Sequence, residues 1–487
     1  MIAGLKDPGL FREAAFIGGE WVQGGSGATL AVDDPATGTV IGTVPDLDMD
    51  DTEAAITAAQ GAFGPWRART AGDRSAMLER WHALVLENVG DLARIMTAEQ
   101  GKPLAEAEGE IRYAATFIKW FAEEGRRASG HDVLGPEANR RVLVMKEPVG
   151  VSVAITPWNF PAAMITRKCA PALAAGCPVI VKPSELTPYT ALALARLAEM
   201  AGFPKGTINV LTGRPAAIGG ALTASPTVRK LSFTGSTRVG SLLLRQCADT
   251  VKRTSMELGG NAPLIVFDDA DIDVAVASTM ISKFRNSGQT CVCANRILVQ
   301  DSVYDAFAEK LAKAVSALRV GPGDQPGTTI GPLINAAAAE KVKAHIDDAL
   351  SKGAALFASG ANDMTFDRFA APVVLTDAAP SMLLASEETF GPVAPLFRFT
   401  HEEQAIEMAN ATEYGLASYF YTENLHRAFR VAERLEAGMV ALNTGSIAME
   451  MAPFGGVKMS GLGREGGRAG IEEYLESKAF HIAGLKL

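Results

Sequence analysis

Cysteine is scarce in this sequence, with five residues in 487. These five form neither an even framework of pairs nor a zinc-ligand pattern with nearby histidines, which argues against a disulfide scaffold and against a structural metal. Long apolar runs are missing as well, so no membrane span is predicted. The first residues, MIAGLKDPGLFREAAFIGGEWV, contain acids and lack a long apolar core with a cleavage site. We therefore expect a cytoplasmic protein.

Long blocks of like charge are also absent. The 46 basic and 55 acidic residues are spread along the chain and give a net charge of −9. This negative net charge, without basic clusters, argues against sequence-independent binding to nucleic acid. The length exceeds what one hydrophobic core usually organises, so two or three domains are expected.

From about residue 150 onward, short β-branched runs alternate with helical stretches. This alternation predicts a parallel sheet with helices on its faces, and a doubly wound dinucleotide-binding unit over residues 150–257. A second α/β series follows ELGGNAP, and amphipathic helices before residue 130 are expected to pack around the first unit. The segment 140–150 alternates apolar and charged residues, as an exposed, two-faced hairpin awaiting a partner would.

The strongest chemical signal is FRNSGQTCVCANR, which places Cys291 in a loop between a predicted helix and strand. A thiolate there can attack a carbonyl carbon, and an aldehyde adduct can then expel hydride. The alternative is a small packing residue. We assign that alternative to the cysteines that lie within helical or strand-like segments, Cys169, Cys177 and Cys247.

Two further polar residues suit the same chemistry. Glu257, in SMELGGNAP, is a carboxylate that can take a thiol proton or activate a hydrolytic water, although alone it is more simply a surface acid. Asn159, in ITPWNFP, follows a predicted strand, where its amide and the backbone N–H of Cys291 can hold an oxyanion. Alone, Asn159 is a turn residue.

No G-x-G-x-x-G follows the first strand of the predicted nucleotide unit. Instead, Lys182 and Glu185 in VIVKPSELTP lie past the end of a strand, where doubly wound sheets bind ligands. In LSFTGSTRVG, Gly235 and Ser236 begin a helix whose free N–H groups can meet a phosphate. Each signal by itself fits a simple helix cap or turn.

Seven ordered motifs, WNFP, KPSE, FTGST, ELGGN, GQTC, EETFGP and PFGGVKMSGLGRE, together resemble the aldehyde dehydrogenase superfamily along nearly the whole chain. The longer stretches FPAAMITRKCAPALAAG and KFRNSGQTCVCANRI look like its succinate-semialdehyde dehydrogenase branch. The resemblance implies an α/β fold with a Rossmann-type nucleotide-binding domain, an α/β catalytic domain and a β-arm for oligomerisation. We place these at residues 1–129 with 150–257, at 258–469, and at 130–149 with 470–487, respectively.

The resemblance also implies roles for individual residues. Cys291 is the expected nucleophile, Glu257 the general base, and Asn159 the oxyanion-hole donor. Lys168 and Glu465 match a proton path proposed for the family, although an ion pair is the simpler alternative. The remaining residues implied are contacts to a nicotinamide cofactor: Thr156, Pro157, Trp158, Lys182, Ser184, Glu185, Gly235, Ser236, Glu388 and Phe390.

An anionic substrate end is expected from Arg167 and Arg285, which the resemblance places at the mouth of the aldehyde tunnel, because a guanidinium matches a carboxylate's two oxygens. The alternative is two structural ion pairs. The branch usually carries a serine where this chain has Ala448, and Ser446 lies nearby. Succinate semialdehyde is the expected substrate, with glutarate semialdehyde, 2-oxoglutarate semialdehyde and sulfolactaldehyde as alternatives.

NAD is the expected cofactor, because Glu185 would place a like charge against the 2′-phosphate of NADP. NADP is the alternative. A homodimer or homotetramer is implied by the resemblance.

Cys293 either forms a protective disulfide with Cys291 on oxidation or is a packing residue. Two other classes of protein are weighed, a cysteine hydrolase or acyltransferase and a catalytically silent scaffold; neither needs a nucleotide pocket together with the three catalytic groups.

Overall fold

The computed structural model describes residues 2–137 and 139–485. Its strands are β1 (Ala15–Ile17), β2 (Glu20–Val22), β3 (Thr29–Asp33), β4 (Val40–Pro45), β5 (His131–Leu134), β6 (Arg141–Pro148), β7 (Val151–Ile155), β8 (Val179–Lys182), β9 (Ile208–Val210), β10 (Val228–Thr234), β11 (Arg253–Glu257), β12 (Ala262–Val266), β13 (Ala294–Gln300), β14 (Ala355–Ser359), β15 (Val373–Thr376), β16 (Val393–Phe399), β17 (Ala417–Tyr421), β18 (Met439–Leu442), β19 (Gly461–Leu462) and β20 (Leu475–Ile482).

Its α-helices are α1 (Met49–Arg67), α2 (Ala71–Glu87), α3 (Val89–Gln100), α4 (Leu104–Glu124), α5 (Ala163–Ala175), α6 (Tyr189–Ala201), α7 (Pro215–Ala224), α8 (Thr237–Ala248), α9 (Ile272–Phe284), α10 (Tyr304–Ser316), α11 (Ala336–Ser351), α12 (Leu383–Ser386), α13 (Glu402–Asn410), α14 (Leu425–Arg434) and α15 (Ala469–Glu472). Across the residues described, none of these helices is long and apolar enough to cross a membrane.

The first sheet has eight strands in the order β19-β11-β10-β7-β8-β9-β1-β2. The five strands from β7 to β11 are parallel to one another and buried, as their apolar runs predict. The chain moves outward from β7 to β8 and β9, then returns to place β10 on the other side of β7. The strand order therefore reverses between β7 and β10, and such a switch point leaves a ligand-binding crevice at the strands' carboxyl ends.

The second sheet has seven strands in the order β14-β15-β16-β13-β12-β17-β18, and all but β14 run parallel to their neighbours. Its apolar side chains form two clusters, one on each face. The loop that carries Cys291 connects α9 to β13, the central strand of this sheet. The α/β fold class expected from the sequence is confirmed.

A third sheet joins β5, β6 and β20, with β6 in the middle and all pairs antiparallel. These strands lie within the predicted arm segments, of which residues 138, 486 and 487 are outside the described residues. One segment departs from the predicted division of the chain. Strand β19, at 461–462, was expected in the catalytic part, but it pairs with β11 in the first sheet, because the PFGG motif folds back onto the end of that strand.

Candidate active site

A cleft of about 300 Å³ opens at the carboxyl ends of β7 and β10, at the switch point of the first sheet. Residues from both large sheets contribute to its wall. The fourteen that line it are Pro157, Trp158, Asn159, Thr234, Gly235, Ser236, Leu258, Gly259, Cys291, Ala338, Lys341, Glu388, Thr389 and Phe390. The structure thus brings together most of the nucleophile, oxyanion-hole and cofactor residues expected from separate motifs.

The loop that presents Cys291 is held in an unusual backbone conformation. Asn286 and Ser287, just beyond α9, both have positive φ values, of 51° and 56°. Gly260 lies against this loop, and a methyl group added to it would come 2.5 Å from the carbonyl oxygen of Cys291. The second glycine of ELGGN therefore allows the close backbone approach expected from the sequence. Of the five cysteines, Cys291 alone is partly exposed, and all five are free thiols.

Asn159 lies in the loop after β7 and is buried. Its side-chain Nδ2 donates a hydrogen bond to the carbonyl of Gln289, 3.0 Å away, in the loop that leads to Cys291. This bond uses one of the two N–H groups of the amide, and the second remains for a ligand in the cleft. The same residue thus joins the nucleotide-binding sheet to the nucleophile loop.

Glu257 is the last residue of β11 and is almost fully buried. Neither of its carboxylate oxygens has a hydrogen-bond partner within the described chain. Burial raises the pKa of Glu257 well above its usual range, and the nearby Glu465 raises it further, while Arg167 and Lys168 oppose the shift. A raised pKa makes this carboxylate a better proton acceptor, which suits a group that takes up and releases a proton during the reaction.

Burial also dominates the electrostatics of the nucleophile. It raises the pKa of the Cys291 thiol to about 12, and the guanidinium of Arg167 is the main group that lowers it. The negative charges of Glu388 and Glu257 add to the rise. The thiol is therefore protonated in the free protein at neutral pH, and a base or a bound cation is needed to generate the thiolate.

The groups expected to bind the cofactor's adenosine end lie near the ends of β7 and β8. Lys182 is buried, and its Nζ lies 3.2 Å from a carboxylate oxygen of the half-buried Glu185. The Ser184 hydroxyl accepts a hydrogen bond from the Leu186 N–H, which shapes the turn between them. Thr156 is buried, and its hydroxyl has no hydrogen-bond partner among the described residues. An unpaired buried hydroxyl at a crevice favours a ligand there.

The helix N-terminus predicted at FTGST is present. Helix α8 begins at Thr237, and the Ser236 hydroxyl caps it by accepting from the Val239 N–H. Across the cleft, Glu388 accepts a hydrogen bond from Gly260, and burial raises the pKa of its carboxyl to about 7. A helix N-terminus binds phosphate, and a carboxylate accepts from ribose hydroxyls, so these residues fit a dinucleotide.

Two aromatic rings complete the cofactor side of the cleft. The rings of Trp158 and Phe390 meet edge to face, with centroids 5.6 Å apart. Phe390 has a positive φ of 56°, which is rare for an aromatic residue. Pro157 lies beside Trp158 in the same wall. This apolar wall suits a flat ring such as nicotinamide.

The predicted substrate residues fall into two groups. Arg285, Ser446 and Ala448 line one small depression, together with Val292, the residue after the nucleophile. The exposed guanidinium of Arg285 lies over the Phe160 ring, 5.2 Å from its centroid. This arrangement places a cation next to the nucleophile loop and leaves it accessible.

Arg167 departs from the expected clamp. Its guanidinium is buried, and its Nε lies 2.5 Å from a carboxylate oxygen of Glu465. Lys168 forms an ion pair with the other oxygen of the same carboxylate. Arg167 and Lys168 therefore adopt the ion-pair alternative, since two adjacent residues of α5 share one buried acid. Arg167 remains close enough to lower the pKa of Cys291.

Cys293 adopts the packing alternative that the sequence left open. Its side chain is buried, and its sulfur lies 3.3 Å from the Nζ of the buried Lys283 on α9. Burial raises the pKa of this thiol as well. The arrangement turns the thiol toward α9, so it gives no support to a disulfide with Cys291.

Several buried residues at the site went unnoticed in the sequence. Lys102 and Glu110 form a buried ion pair beside Asn159, and Gln289 positions the Asn159 amide. The hydroxyl of Thr234 is buried in the cleft wall without a partner among the described residues. The stretch GKPLAEAEGE has the charged residues typical of a surface helix, so the sequence pattern did not predict that Lys102 and Glu110 are buried.

The chain matches the aldehyde dehydrogenase family model over residues 21–480. A 3-sulfolactaldehyde dehydrogenase of Pseudomonas putida is 58% identical over 481 residues, covering 99% of each chain. A glutarate-semialdehyde dehydrogenase of the same species is 58% identical over 479 residues, covering 98% of this chain and 99% of that one. An NADP(+) succinate-semialdehyde dehydrogenase of Escherichia coli is 56% identical over 474 residues, with coverages of 97% and 98%.

Solved structures of aldehyde dehydrogenases also superpose closely on this chain. An aldehyde dehydrogenase from Brucella melitensis biovar abortus superposes with a TM-score of 0.98 at 57% identity, over the full length of both chains. A betaine aldehyde dehydrogenase from Staphylococcus aureus, solved in complex with NAD+, superposes with a TM-score of 0.93 at 36% identity, covering 96% of this chain and 94% of that one. The cleft, its thiol and these likenesses agree, and the chain belongs to the aldehyde dehydrogenase family.

Proposed function

We propose that this oxidoreductase converts a small aldehyde with an anionic far end, succinate semialdehyde first among them, into the corresponding carboxylate. The observation that carries the proposal is the position of Cys291. Its thiol lines the cleft with Asn159 and the cofactor residues on one side, while Val292 and Arg285 line the depression on the other. A thiol between a dinucleotide cleft and an accessible cation suits an aldehyde that carries a negative charge at its other end.

The residues divide the reaction between them. Glu257 takes the proton of the Cys291 thiol and later releases it to solvent. The sulfur attacks the aldehyde carbon and forms a thiohemiacetal, while the Asn159 amide and the Cys291 N–H donate to the developing oxyanion. A nicotinamide bound in the cleft would accept the hydride that the thiohemiacetal expels, and a thioester would remain on Cys291. Glu257 takes a proton from water, the water oxygen attacks the thioester carbon, and the carboxylate leaves as the thiol is restored. One aldehyde, one oxidised cofactor and one water give one carboxylate, one reduced cofactor and two protons.

The cofactor proposal is NAD, with NADP accepted less well. Glu185 carries a half-exposed carboxylate where an adenosine ribose would lie, and a 2′-phosphate would meet this like charge. Lys182 opposes that repulsion only in part, because its ammonium is already paired with Glu185. The E. coli relative named for NADP(+) shows that the alternative cofactor occurs among similar proteins.

The substrate's anionic end is proposed to meet Arg285. A bidentate, charge-assisted contact to a carboxylate or sulfonate is about twice as strong as a neutral hydrogen bond. Ala448 offers no hydroxyl to the same group, while the exposed Ser446 lies in the same depression. The relatives named for sulfolactaldehyde, glutarate semialdehyde and succinate semialdehyde keep all three substrates open, with 2-oxoglutarate semialdehyde as the fourth.

A panel of these four aldehydes, with uncharged butanal as reference, tests the proposal by kcat/KM. The proposal predicts that every preferred substrate is anionic, and that Arg285→Ala lowers its kcat/KM by about 10- to 100-fold relative to butanal. Arg238→Ala, at an exposed arginine near the cofactor side, is the matched control and should leave the ratio unchanged. Equal losses for anionic and uncharged aldehydes in Arg285→Ala would overturn the clamp.

We also propose a proton relay, a subunit contact and a cellular location. Lys168 and Glu465 form the ion pair described above, and we propose that Glu465 also relays protons from Glu257, whose pKa it raises. The three-stranded sheet of β5, β6 and β20 is proposed to associate with a neighbouring subunit in a dimer or tetramer. A cytoplasmic location is proposed from the five free thiols.

A further inference from the structure

Lys102 lies in the turn between α3 and α4, and its side chain is almost completely buried. Its Nζ donates a hydrogen bond to the backbone carbonyl of Asn159, 2.8 Å away. The same ammonium lies 4.1 Å from the centroid of the Phe160 ring and forms an ion pair with the buried Glu110. A buried ammonium is costly unless it is fully paired, so its three contacts fix it in one place.

Glu110 acts on the same loop from the other side. One carboxylate oxygen accepts hydrogen bonds from the N–H groups of Ala162 and Ala163, at 3.0 and 3.2 Å. Ala162 is the N-cap residue of α5 and Ala163 its first residue, and the helix has no capping side chain of its own. The carboxylate therefore supplies the missing N-terminal cap. Together, Lys102 and Glu110 hold both ends of the segment 159–163.

The nucleophile loop is fastened to the same point. Asn286 donates its side-chain N–H to the Asn159 carbonyl at 3.0 Å, and its backbone N–H donates to Glu106 at 2.7 Å. Gln100 donates to the Asn286 side-chain oxygen at 3.0 Å. The Asn159 carbonyl thus accepts from Lys102 and from Asn286 at once, and this fixes the strained turn before Cys291 relative to the Asn159 amide.

We propose that Lys102, held by Glu110, is a positioning residue for the oxyanion hole. It fixes the backbone of Asn159 so that the free side-chain N–H points at the place where negative charge develops. An oxyanion donor works only within a few tenths of an ångström of its best position, and losing that position costs most of its contribution. The inference rests on the role proposed above for Asn159.

The variant Lys102→Met tests the inference, and Lys252→Met is its matched control. Lys252 is also buried and donates to a backbone carbonyl, that of Ser225, which does not line the cleft. We expect Lys102→Met to lower kcat by about 10- to 100-fold while the KM for the cofactor and the rate of Cys291 alkylation by iodoacetamide stay unchanged. Lys252→Met should keep its kcat. If Lys102→Met does not fold because Glu110 is left unpaired, Lys102→Met with Glu110→Gln removes that charge and takes its place.

A double-mutant cycle with Asn159→Ala separates positioning from general damage. If Lys102 acts through Asn159, Lys102→Met costs little further kcat once Asn159 is already alanine. An undiminished kcat in Lys102→Met, or the same fold-loss in both backgrounds, would overturn the inference and leave the role of Asn159 intact. An unchanged kcat in Asn159→Ala by itself would instead overturn the proposed oxyanion hole and this inference with it.

Discussion

At the scale of single residues, the active site depends on ionisable groups whose pKa values are shifted by burial. The pKa of the Cys291 thiol, raised to about 12, puts its titration far above neutral pH, and Arg167 is the main group opposing the rise. Below a thiol's pKa, the thiolate fraction rises about tenfold for each pH unit. The reactivity of the free enzyme toward alkylating reagents should therefore follow pH closely.

We predict that iodoacetamide alkylates Cys291 of the cofactor-free protein at a rate that keeps rising from about pH 7 to about pH 10. Arg167→Met should slow alkylation at every pH, because it removes the positive charge that favours the thiolate. Arg285→Met is the control; Arg285 lies in the neighbouring depression and is not among the main groups acting on the Cys291 pKa. A rate that levels off near neutral pH would show a thiolate already formed and would contradict this description.

The sequence alone identified those active-site residues that stand in short, distinctive motifs. Cys291 and Asn159 stand next to small or aromatic residues in short, distinctive strings, and the cleft brings both together. The Lys102–Glu110 pair was missed because its partners lie in the loop after β7, which only the fold brings near. The Arg167 contact with Glu465 was missed for the same reason.

At the scale of elements, strand β19 explains part of the PFGGVKMSGLGRE motif. Its two residues pair with Met256 and Glu257, so it covers the end of the strand that carries the proposed base. Gly461 has a φ of 137°, and a methyl group there would lie 1.9 Å from the Met256 carbonyl oxygen. Only glycine fits this position, so the strand pair depends on it.

We expect Gly461→Ala to separate β19 from β11, to destabilise the protein by about 2–4 kcal/mol, and to lower kcat because Glu257 shifts. Thermal unfolding and steady-state kinetics measure the two effects. Leu462→Ala, at the exposed neighbour on the same strand, should change neither. A Gly461→Ala protein with wild-type melting temperature and kcat would show that the pairing does not position Glu257.

The pattern of strands and helices predicted the parallel core of the first sheet, because buried parallel strands form continuous apolar runs. It did not predict β19, because two residues carry no periodic signal and their partner strand is distant in the chain. The short antiparallel strands β1 and β2, which end the first sheet beyond β9, also went unrecognised, since three-residue strands look like loops.

At the scale of the whole molecule, the third sheet exposes apolar side chains. Leu143 and Phe480 face each other across β6 and β20 and are 39% and 50% exposed. Leu134, at the end of the edge strand β5, is 74% exposed. An exposed apolar sheet with a free edge favours association, which agrees with the proposed subunit contact.

Phe480→Asp should therefore shift the protein to a smaller assembly in light scattering at equal concentration. Leu425→Asp introduces the same charge at an exposed apolar residue of α14, outside the third sheet, and should leave the mass unchanged. A wild-type chain that is monomeric at micromolar concentration, or a Phe480→Asp protein of unchanged mass, would contradict the proposed subunit contact.

Cofactor reduction combined with intact-protein mass measures whether the substrate is oxidised while it is bound to the Cys291 thiol. Protein, NAD and the aldehyde that ranks first in the panel are mixed and quenched in acid. We predict one reduced cofactor per aldehyde consumed, an acyl adduct on Cys291, and a rate at least about 1,000-fold lower in Cys291→Ala but unchanged in Cys169→Ala. Cofactor reduction at the wild-type rate in Cys291→Ala, or an adduct on another residue, would contradict it.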